Sequence, residues 1–443
     1  MSTRARAPET LTERDVLRFW SPLAATWLMM SAEGPFIAAI IARLGEPEFN
    51  LAAYGVAFSF ALLIESPIVM ALTAATALVR DRQSFVTLRR FFYALNVAVT
   101  VGMVILVVPP VFRWVSIDLA GLPTPVARLT HLAAAVLLPW PAAIGYRRFY
   151  QGVLVRHKLT RRVAYGTVVR LVSMSGVALV LNSLTRLPGA LVGAAALTAG
   201  VVMEAAATRI MARGVVSDLL KGPGSRDDRG PRLTMGRVVW FYYPLALTSI
   251  LAFGINPLLS FFLGRSRMPI ESLAVLPVVM SLVFLFRSGG LAYQEACIAL
   301  LGDRREHREP LAAFARKLGG LLTLGLGIVA FTPLGALWFG RVSGLSAGLA
   351  PLAALPVRIL TLMPALEVLL SLERGLLVHA HRTRLITWAT VVEVATVVGV
   401  LFVGVVGFDM VGVVAAAAGL LLGRLASTAF LARPALGKPA GGA

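Results

Sequence analysis

Residues 47–66 read PEFNLAAYGVAFSFALLIES and residues 269–288 read PIESLAVLPVVMSLVFLFRS, so one apolar pattern occurs twice in the chain. The match extends over 19–82 and 241–304 at a constant shift of 222, with 19 identities in 64 positions. A second block, 152–177 against 375–400, matches at a shift of 223 in 10 of 26 positions. This spacing predicts two structural repeats related by a pseudo-twofold axis along the membrane normal.

Composition indicates a membrane protein. The chain is 58% hydrophobic and 14% charged, its mean hydropathy is +0.80, and apolar runs of about 20 residues recur from end to end. The runs are continuous rather than alternating, which favours helices over a β-barrel. We therefore predict an all-α polytopic membrane protein with twelve transmembrane helices in two six-helix repeats.

The repeats and one hydrophilic stretch divide the chain. We predict an N-terminal segment over 1–18, a first six-helix bundle over 19–212, a linker over 213–236, a second bundle over 237–432 and a tail over 433–443. Helix breaks are expected at equivalent depths in both halves, at 33–35, 65–67, 254–257 and 287–290, because Gly and Pro disrupt helices there.

The net charge of +20 predicts an orientation rather than a nucleic-acid site, since no basic face interleaves with aromatic residues. If both termini are cytoplasmic, the inside segments hold 32 of the 42 Lys and Arg residues, the outside loops 7 and the spans 3. This pattern predicts a monomeric, multi-pass protein of the plasma (inner) membrane with both termini inside. Its basic loops would contact anionic lipid headgroups.

Charge inside the apolar runs is the main functional clue, because an ionised group at the bilayer centre costs at least ~2.5 kcal/mol. The residues concerned are Glu33, Glu65, Arg170, Glu204, Arg287, Glu295, Arg358, Glu367 and Glu393. The repeat aligns Glu65 with Arg287 and Arg170 with Glu393, so equivalent positions carry opposite charge.

Two roles are open to these residues: helix-to-helix salt bridges, or contacts with a substrate. As candidate substrate-binding residues we select Arg170, Arg287, Arg358 and Glu393, with Arg147 and Arg148 at a cytoplasmic mouth, since guanidinium groups bind phosphate and carboxylate well. Glu33 and Glu65, beside helix breaks, are candidate sites for a coupling proton or Na⁺.

The sequence shows no Walker A motif, no catalytic constellation and no His/Cys/carboxylate cluster with metal-ligand spacing. We therefore expect a transporter rather than an enzyme, with no cofactor beyond a coupling ion.

Four strings carry a family resemblance: 51–59 (LAAYGVAFS), 152–158 (GVLVRHK), 241–247 (FYYPLAL) and 356–359 (PVRI). They resemble the ANK (progressive ankylosis) transporters, within the MATE-like multidrug/oligosaccharidyl-lipid/polysaccharide flippase superfamily. The chain departs from the vertebrate members in its short tail and compact loops. The resemblance implies a MATE-like fold and export of a small polyanion, such as pyrophosphate, a nucleotide or citrate, by alternating access. The alternatives are a cation-coupled multidrug exporter and a lipid-linked saccharide flippase.

Overall fold

The structure is a computed structural model that describes residues 11–157, 159–221, 233–301, 307–380 and 382–436. Within these ranges twelve helical stretches have the length and apolar composition needed to cross a membrane. We number them spans 1–12: Glu13–Ile41, Pro47–Leu78, Arg82–Val107, Thr124–Arg156, Arg161–Leu184, Gly189–Met211, Met235–Leu263, Pro269–Leu300, Arg308–Phe331, Ala350–His379, Arg384–Gly407 and Gly412–Ala435. The prediction of an all-helical polytopic membrane protein is confirmed. Parts of the predicted terminal segments and linker lie outside the described residues.

Four spans are interrupted within their length, and a fifth, span 11, ends in a short second helix. Their pieces are Glu13–Ser31 and Glu33–Ile41 in span 1, Pro47–Glu65, Ser66–Ile68 and Ala71–Leu78 in span 2, Thr124–Val136 and Trp140–Arg156 in span 4, and Ala350–Ile359, Leu360–Leu362 and Met363–His379 in span 10. Shorter helices outside or at the ends of the spans are Pro109–Arg113, Trp114–Leu119, Arg213–Lys221, Leu334–Leu337, Trp338–Val342 and Phe402–Gly407.

The predicted breaks in spans 1 and 2 are present, but those in spans 7 and 8 are wrong. Span 7 is continuous through Pro257, and the side-chain amide of Asn256 donates to the Phe253 carbonyl oxygen at 3.3 Å. Pro257 offers no N–H to the Phe253 carbonyl oxygen, and the Asn256 amide donates there instead, so the helix continues past the proline. In span 8, Gly289 stands where span 2 has Pro67, and its N–H is retained. The sequence did not predict the breaks in spans 4 and 10.

Backbone conformation repeats between the halves. Glu46 and Met268, 222 positions apart, are both left-handed, with φ of 51° and 56°, and each precedes the proline that begins the next span. Gly121 and Gly344, 223 apart, share φ of +66° and +74°. Left-handed backbone is uncommon at residues with a side chain, so its occurrence at matching positions is specific. The two repeats therefore have one backbone plan.

The pseudo-twofold axis passes between spans 2 and 8. A Cβ added to Gly55 would lie 2.5 Å from the Pro277 ring, and Pro277 is the repeat counterpart of Gly55. A residue that touches its own counterpart must lie beside the symmetry axis. Glycine lets the two backbones approach at this point.

The two halves share one buried cluster toward one membrane face and form two different clusters toward the other. We call the side of residue 13 the near face and the side of the turn at 42–46 the far face. Toward the far face one buried apolar cluster includes residues of both halves. Toward the near face there are separate clusters, one around spans 2–4 and one around spans 8–10. A molecule with this core is closed at the far face.

The near-face segments of spans 1 and 7 pack against the opposite half. Trp20 donates its indole N–H to the Gly289 carbonyl oxygen at 2.9 Å, and Tyr242 donates its hydroxyl to the Pro67 carbonyl oxygen at 2.7 Å. These bonds are repeat equivalents, since Trp20 corresponds to Tyr242 and Pro67 to Gly289. Each half thus contributes one helical segment to the other half's near-face core.

A reciprocal pair of arginines joins the halves at the far face. Arg43 donates to the carbonyl oxygens of Arg341 at 2.5 Å and Val342 at 2.9 Å. Its repeat counterpart Arg265 donates to the Asp118 carbonyl oxygen at 3.2 Å. We call these contacts the far-face latches. Each guanidinium also packs against a left-handed glycine, Gly344 or Gly121 respectively, where a Cβ would come within 3 Å of its terminal nitrogen.

Candidate functional site

Four side chains form a buried ionic network inside the first half. Arg170 of span 5 contacts Glu33 of span 1 at 2.5 Å, and it lies 3.9 Å from Glu204 of span 6. Glu204 also pairs with Arg147 of span 4 and accepts a hydrogen bond from Gln151 at 3.0 Å. Glu33 is the first residue of the second helix of span 1, directly after the break at Ala32. The network contains two acids and two bases and is neutral overall.

A second carboxylate in the same half is enclosed but unpaired. Glu65 ends the first helix of span 2, and its Oε2 accepts no hydrogen bond from the residues that the structure describes. Arg148, Arg147 and Arg170 are the charged groups that act on it. The Nε of Arg148 is also enclosed and has no acceptor in the described part of the chain. Unsatisfied buried polar groups are costly, so this pair marks a place where an ion or proton would be stabilising.

Aromatic residues lie in the same half. Tyr54 stacks on Phe58 with ring centroids 6.0 Å apart, and Phe58 packs on Trp140 at 5.6 Å. The indole N–H of Trp140 is enclosed without an acceptor among the described residues. The repeat counterparts of these three residues are Leu276, Met280 and Met363. A ladder of aromatic faces is therefore particular to the first half, and aromatic faces attract cations.

The second half contains a corresponding network of opposite polarity. Arg287 of span 8 pairs with Glu367 of span 10 through Nε at 2.9 Å and through a terminal nitrogen. Arg424 of span 12 lies 3.4 Å from Glu367 and 3.1 Å from Glu393 of span 11. Each of these side chains is at most 14% exposed. This network also contains two acids and two bases.

The two networks connect equivalent spans, with acids and bases exchanged between the halves. In the first half the span 6 acid Glu204 bridges bases on spans 4 and 5. In the second half the span 12 base Arg424 bridges acids on spans 10 and 11. The fourth member differs: it is Glu33 of span 1 in the first half and Arg287 of span 8 in the second. Arg287 occupies the position equivalent to Glu65. In the first half Glu33 takes that place in the network, so Glu65 remains outside it.

The structure brings together most of the residues selected from the sequence. Arg147, Arg170 and Glu33 lie in the first network, with Glu65 and Arg148 beside it, and Arg287 and Glu393 lie in the second. Arg358 lies apart from both: it is exposed, and its Nε donates to the Ala330 carbonyl oxygen at 3.2 Å. Whether any of these residues contacts a substrate stays a prediction.

Sequence reasoning missed three residues near these networks. Arg424, Gln151 and Arg374 were not selected as buried or substrate-binding candidates, because each lies toward the predicted cytoplasmic end of its span. Arg424 lies inside span 12 and Gln151 inside span 4. The buried Glu373 has both carboxylate oxygens without a partner in the described ranges. For Arg424, the apolar residues on both sides were the available signal.

The groups that the site offers are carboxylates, guanidiniums and hydrogen-bonding side chains. Among the described residues no group of three or more His, Cys, Asp or Glu side chains could hold a metal ion. Networks that join three or four spans fix the spans relative to one another, since removing one partner leaves a buried charge uncompensated. Glu65 forms no ion pair among the described residues and stands outside both networks.

Comparison with solved structures identifies the fold. An inward-facing multidrug resistance MATE family transporter of the MOP superfamily superposes with a TM-score of 0.69 at 14% identity, over 95% of this chain and 96% of that one. The lipid II flippase MurJ in an inward closed conformation gives 0.68 at 10% identity, over 95% and 88%. A variant of the Vibrio cholerae MATE transporter VcmN gives 0.65 at 15% identity, over 96% and 97%.

No protein-family model matches the sequence, and no curated protein is significantly similar to it. At these identities the superpositions show a MATE-like fold, as the resemblance implied. The assignment to the ANK transporters is not confirmed and stays a prediction.

Proposed function

We propose that this protein is a cation-coupled secondary transporter that exports an organic cation by alternating access between its two halves. The observation that carries the proposal is Glu65, an enclosed carboxylate whose Oε2 has no hydrogen-bond partner among the described residues, in the half where Glu33 and Glu204 are both paired with arginine. A carboxylate in this setting would take up a proton or Na⁺ to relieve its isolation.

The aromatic ladder of Tyr54, Phe58 and Trp140 supports an organic cation as cargo, because cations bind aromatic faces. The core supports alternating access, since one large cluster unites both halves toward the far face, whereas toward the near face each half has a cluster of its own that takes in only one segment of the other half. On the orientation that the positive-inside rule predicts, the near face is cytoplasmic and the described state faces inward. A label attached from outside to a cysteine at Glu46 tests this orientation.

A small polyanion is the second candidate cargo. Arg148 favours it, because its enclosed Nε–H, next to Arg147, donates to no acceptor among the described residues. Against it, Arg170 and Arg287 are each engaged by a carboxylate, so an anion would have to compete for them.

Transport in proteoliposomes tests the proposal. Purified protein is reconstituted, and efflux of ethidium is measured under an imposed proton or Na⁺ gradient. We expect gradient-driven efflux in the wild type and loss of most of the gradient dependence in Glu65→Gln, because the amide cannot be protonated or bind Na⁺. Glu295→Gln is the matched control: Glu295 is exposed and accepts only the Trp27 indole N–H at 3.2 Å.

Equal gradient dependence in wild type and Glu65→Gln would exclude Glu65 as the coupling site. Uptake of radiolabelled pyrophosphate or citrate without ethidium efflux, abolished by Arg148→Gln, would establish the polyanion transporter instead. Movement of a fluorescent lipid-linked saccharide alone would establish a flippase. Melting temperatures of all variants, measured before reconstitution, separate these outcomes from misfolding.

A further inference from the structure

A pocket of about 470 Å³ opens at the far face, between the end of span 9 and the beginning of span 10. Its wall is mainly apolar, with the rings of Phe331, Pro333 and Phe339 among its members. Arg358 is the single ionisable residue that lines it among the described residues. The volume lies within the usual range for small-molecule sites.

The pocket exists because two rings of the first half have no counterpart in the second. In the first half His131 stacks on Phe112, with ring centroids 4.6 Å apart, and its Nε2 lies 2.7 Å from the Val107 carbonyl oxygen. At the shift of 223, His131 corresponds to Ala354 and Phe112 to Gly335, and both line the pocket. The space that two rings fill in one half is thus empty in the other.

Arg358 makes a hydrogen bond at the position where His131 makes one in the first half. Its Nε donates to the carbonyl oxygen of Ala330, which is the repeat counterpart of Val107. Its guanidinium carbon lies 5.8 Å from the centre of the Phe331 ring. The two terminal nitrogens have no partner in the part of the chain that the structure describes. The guanidinium is therefore oriented at the pocket with most of its donors unused.

The pocket opens toward the lipid. Exposed apolar residues at helical spacing form one stripe along span 9: Leu321, Leu324, Ile328 and Phe331. In a membrane-spanning helix such a stripe is the surface that contacts acyl chains. The stripe ends at Phe331, which is 63% exposed and also lines the pocket.

We propose that this pocket binds an anionic lipid, with its phosphate at Arg358 and an acyl chain in the apolar space. Guanidinium donors match phosphate oxygens in a bidentate manner. An arginine near the membrane surface places its charge at headgroup level. A second arginine, Arg341, lines an adjoining cleft that shares Pro333 and Ala336 with the pocket. The site adds to the proposed transport function and does not depend on it.

The lipid would contact the segment that the far-face latch holds. The carbonyl oxygens of Arg341 and Val342 accept the hydrogen bonds of Arg43 from the other half. Phe339, which lines the pocket, belongs to the same short helix, Trp338–Val342. We therefore expect a lipid bound in the pocket to change how stably the far face is closed.

Thermal denaturation of the purified full-length protein tests the site. We expect dioctanoyl phosphatidylglycerol to raise the melting temperature, because a ligand that binds the folded state stabilises it by mass action. Dioctanoyl phosphatidylcholine at the same concentration should raise it less, and inorganic phosphate should have no effect. Native mass spectrometry should show one retained phosphatidylglycerol per chain.

Two variants locate the binding. Ala354→Leu fills the pocket and Arg358→Gln removes its charge, and each should abolish both the shift and the retained lipid. Ala135→Leu is the matched control, since Ala135 is exposed at the position equivalent to Arg358 in the first half. If folded Arg358→Gln and Ala354→Leu keep the full shift, the lipid binds elsewhere and the proposal is overturned. An equal shift with inorganic phosphate would show a free anion site instead.

Discussion

The two halves of this chain share a backbone plan and differ in interior chemistry. Gly152 and Gly375 are repeat counterparts, and a Cβ at either would come within 3 Å of another counterpart pair, Ala75 or Cys297. Gly200 and Gly423 lie in the same way against spans 5 and 11. At these two pairs of positions the close helix contacts are thus the same in both halves, because a side chain there would force the helices apart.

The interior side chains differ between the two halves at positions where close helix packing does not restrict the choice of residue. The first half holds an aromatic ladder and an unpaired Glu65, whereas the second holds aliphatic residues and the paired Arg287. Conversely, the far-face pocket is open in the second half and filled by His131 and Phe112 in the first. The two halves thus share their backbone arrangement, while the side chains of their interiors differ and suit different roles.

The largest effect should come from the residues that bridge each network. Glu204→Ala leaves the guanidiniums of Arg147 and Arg170 in the first half, and Arg424→Ala leaves the carboxylates of Glu367 and Glu393 in the second. Leaving buried charges uncompensated costs roughly 3–5 kcal/mol, so we expect both variants to lower the free energy of unfolding by amounts of this order. Chemical denaturation in detergent measures it.

The exposed Glu295→Ala is the control for this comparison and should unfold close to the wild type. A wild-type stability for one bridging variant and a large loss for the other would show that only one half is held together by its charges.

A smaller effect is expected at the far-face latches. Arg43→Ala and Arg265→Ala each remove charge-assisted hydrogen bonds to carbonyl oxygens of the other half. Such bonds contribute about 1.5–3 kcal/mol, so the double variant should shift the molecule toward a state that is open at the far face. Spin labels on cysteines at Arg186 and Gly407, exposed far-face positions in different halves, report the distance.

The single native cysteine, Cys297, is buried and does not interfere with this labelling. Arg113→Ala, which removes a far-face arginine outside the latches, is the control. An unchanged distance distribution in the double variant would show that packing alone closes the far face.

The smallest effect concerns the near-face exchange between halves. Tyr242→Phe removes one hydroxyl that donates to the Pro67 carbonyl oxygen and leaves the ring contacts with Phe91 and Phe92 in place. A single neutral hydrogen bond contributes about 0.5–1.5 kcal/mol, so the melting temperature should fall slightly. Tyr243→Phe is the control, because Tyr243 is 61% exposed. Equal melting temperatures for both variants would show that ring packing, not the hydrogen bond, fixes span 7.

Much of the fold follows from the sequence because its causes are local or repeated. Apolar run lengths determine twelve spans, and the in-register repeat determines two equivalent halves. The helix breaks were harder, since Pro257 is accommodated inside a continuous span 7 while Leu137–Pro139 interrupts span 4. Whether a proline breaks a helix depends on what its neighbours do with the freed carbonyl, and that is a tertiary property.

The ionic partners could not be predicted for a related reason. The sequence identified Glu33, Arg170 and Glu393 as buried charges but gave no basis for pairing Arg170 with Glu33 across 137 positions. Pairing depends on how each helix is rotated about its axis, and helices that are apolar on all sides carry little signal of rotation. Arg424 was not selected for the same reason, although it bridges two carboxylates.

The far-face latches have a consequence for cooperativity. Each arginine belongs to one half and its acceptors to the other, and the two contacts are exchanged by the same axis. A rigid-body rotation of the halves would stretch both at once, so breaking the first removes the restraint that keeps the second formed. The opening of this protein should therefore be a two-state event without a populated half-open intermediate. Neither half would reproduce it alone, because each supplies the acceptors for the other's arginine.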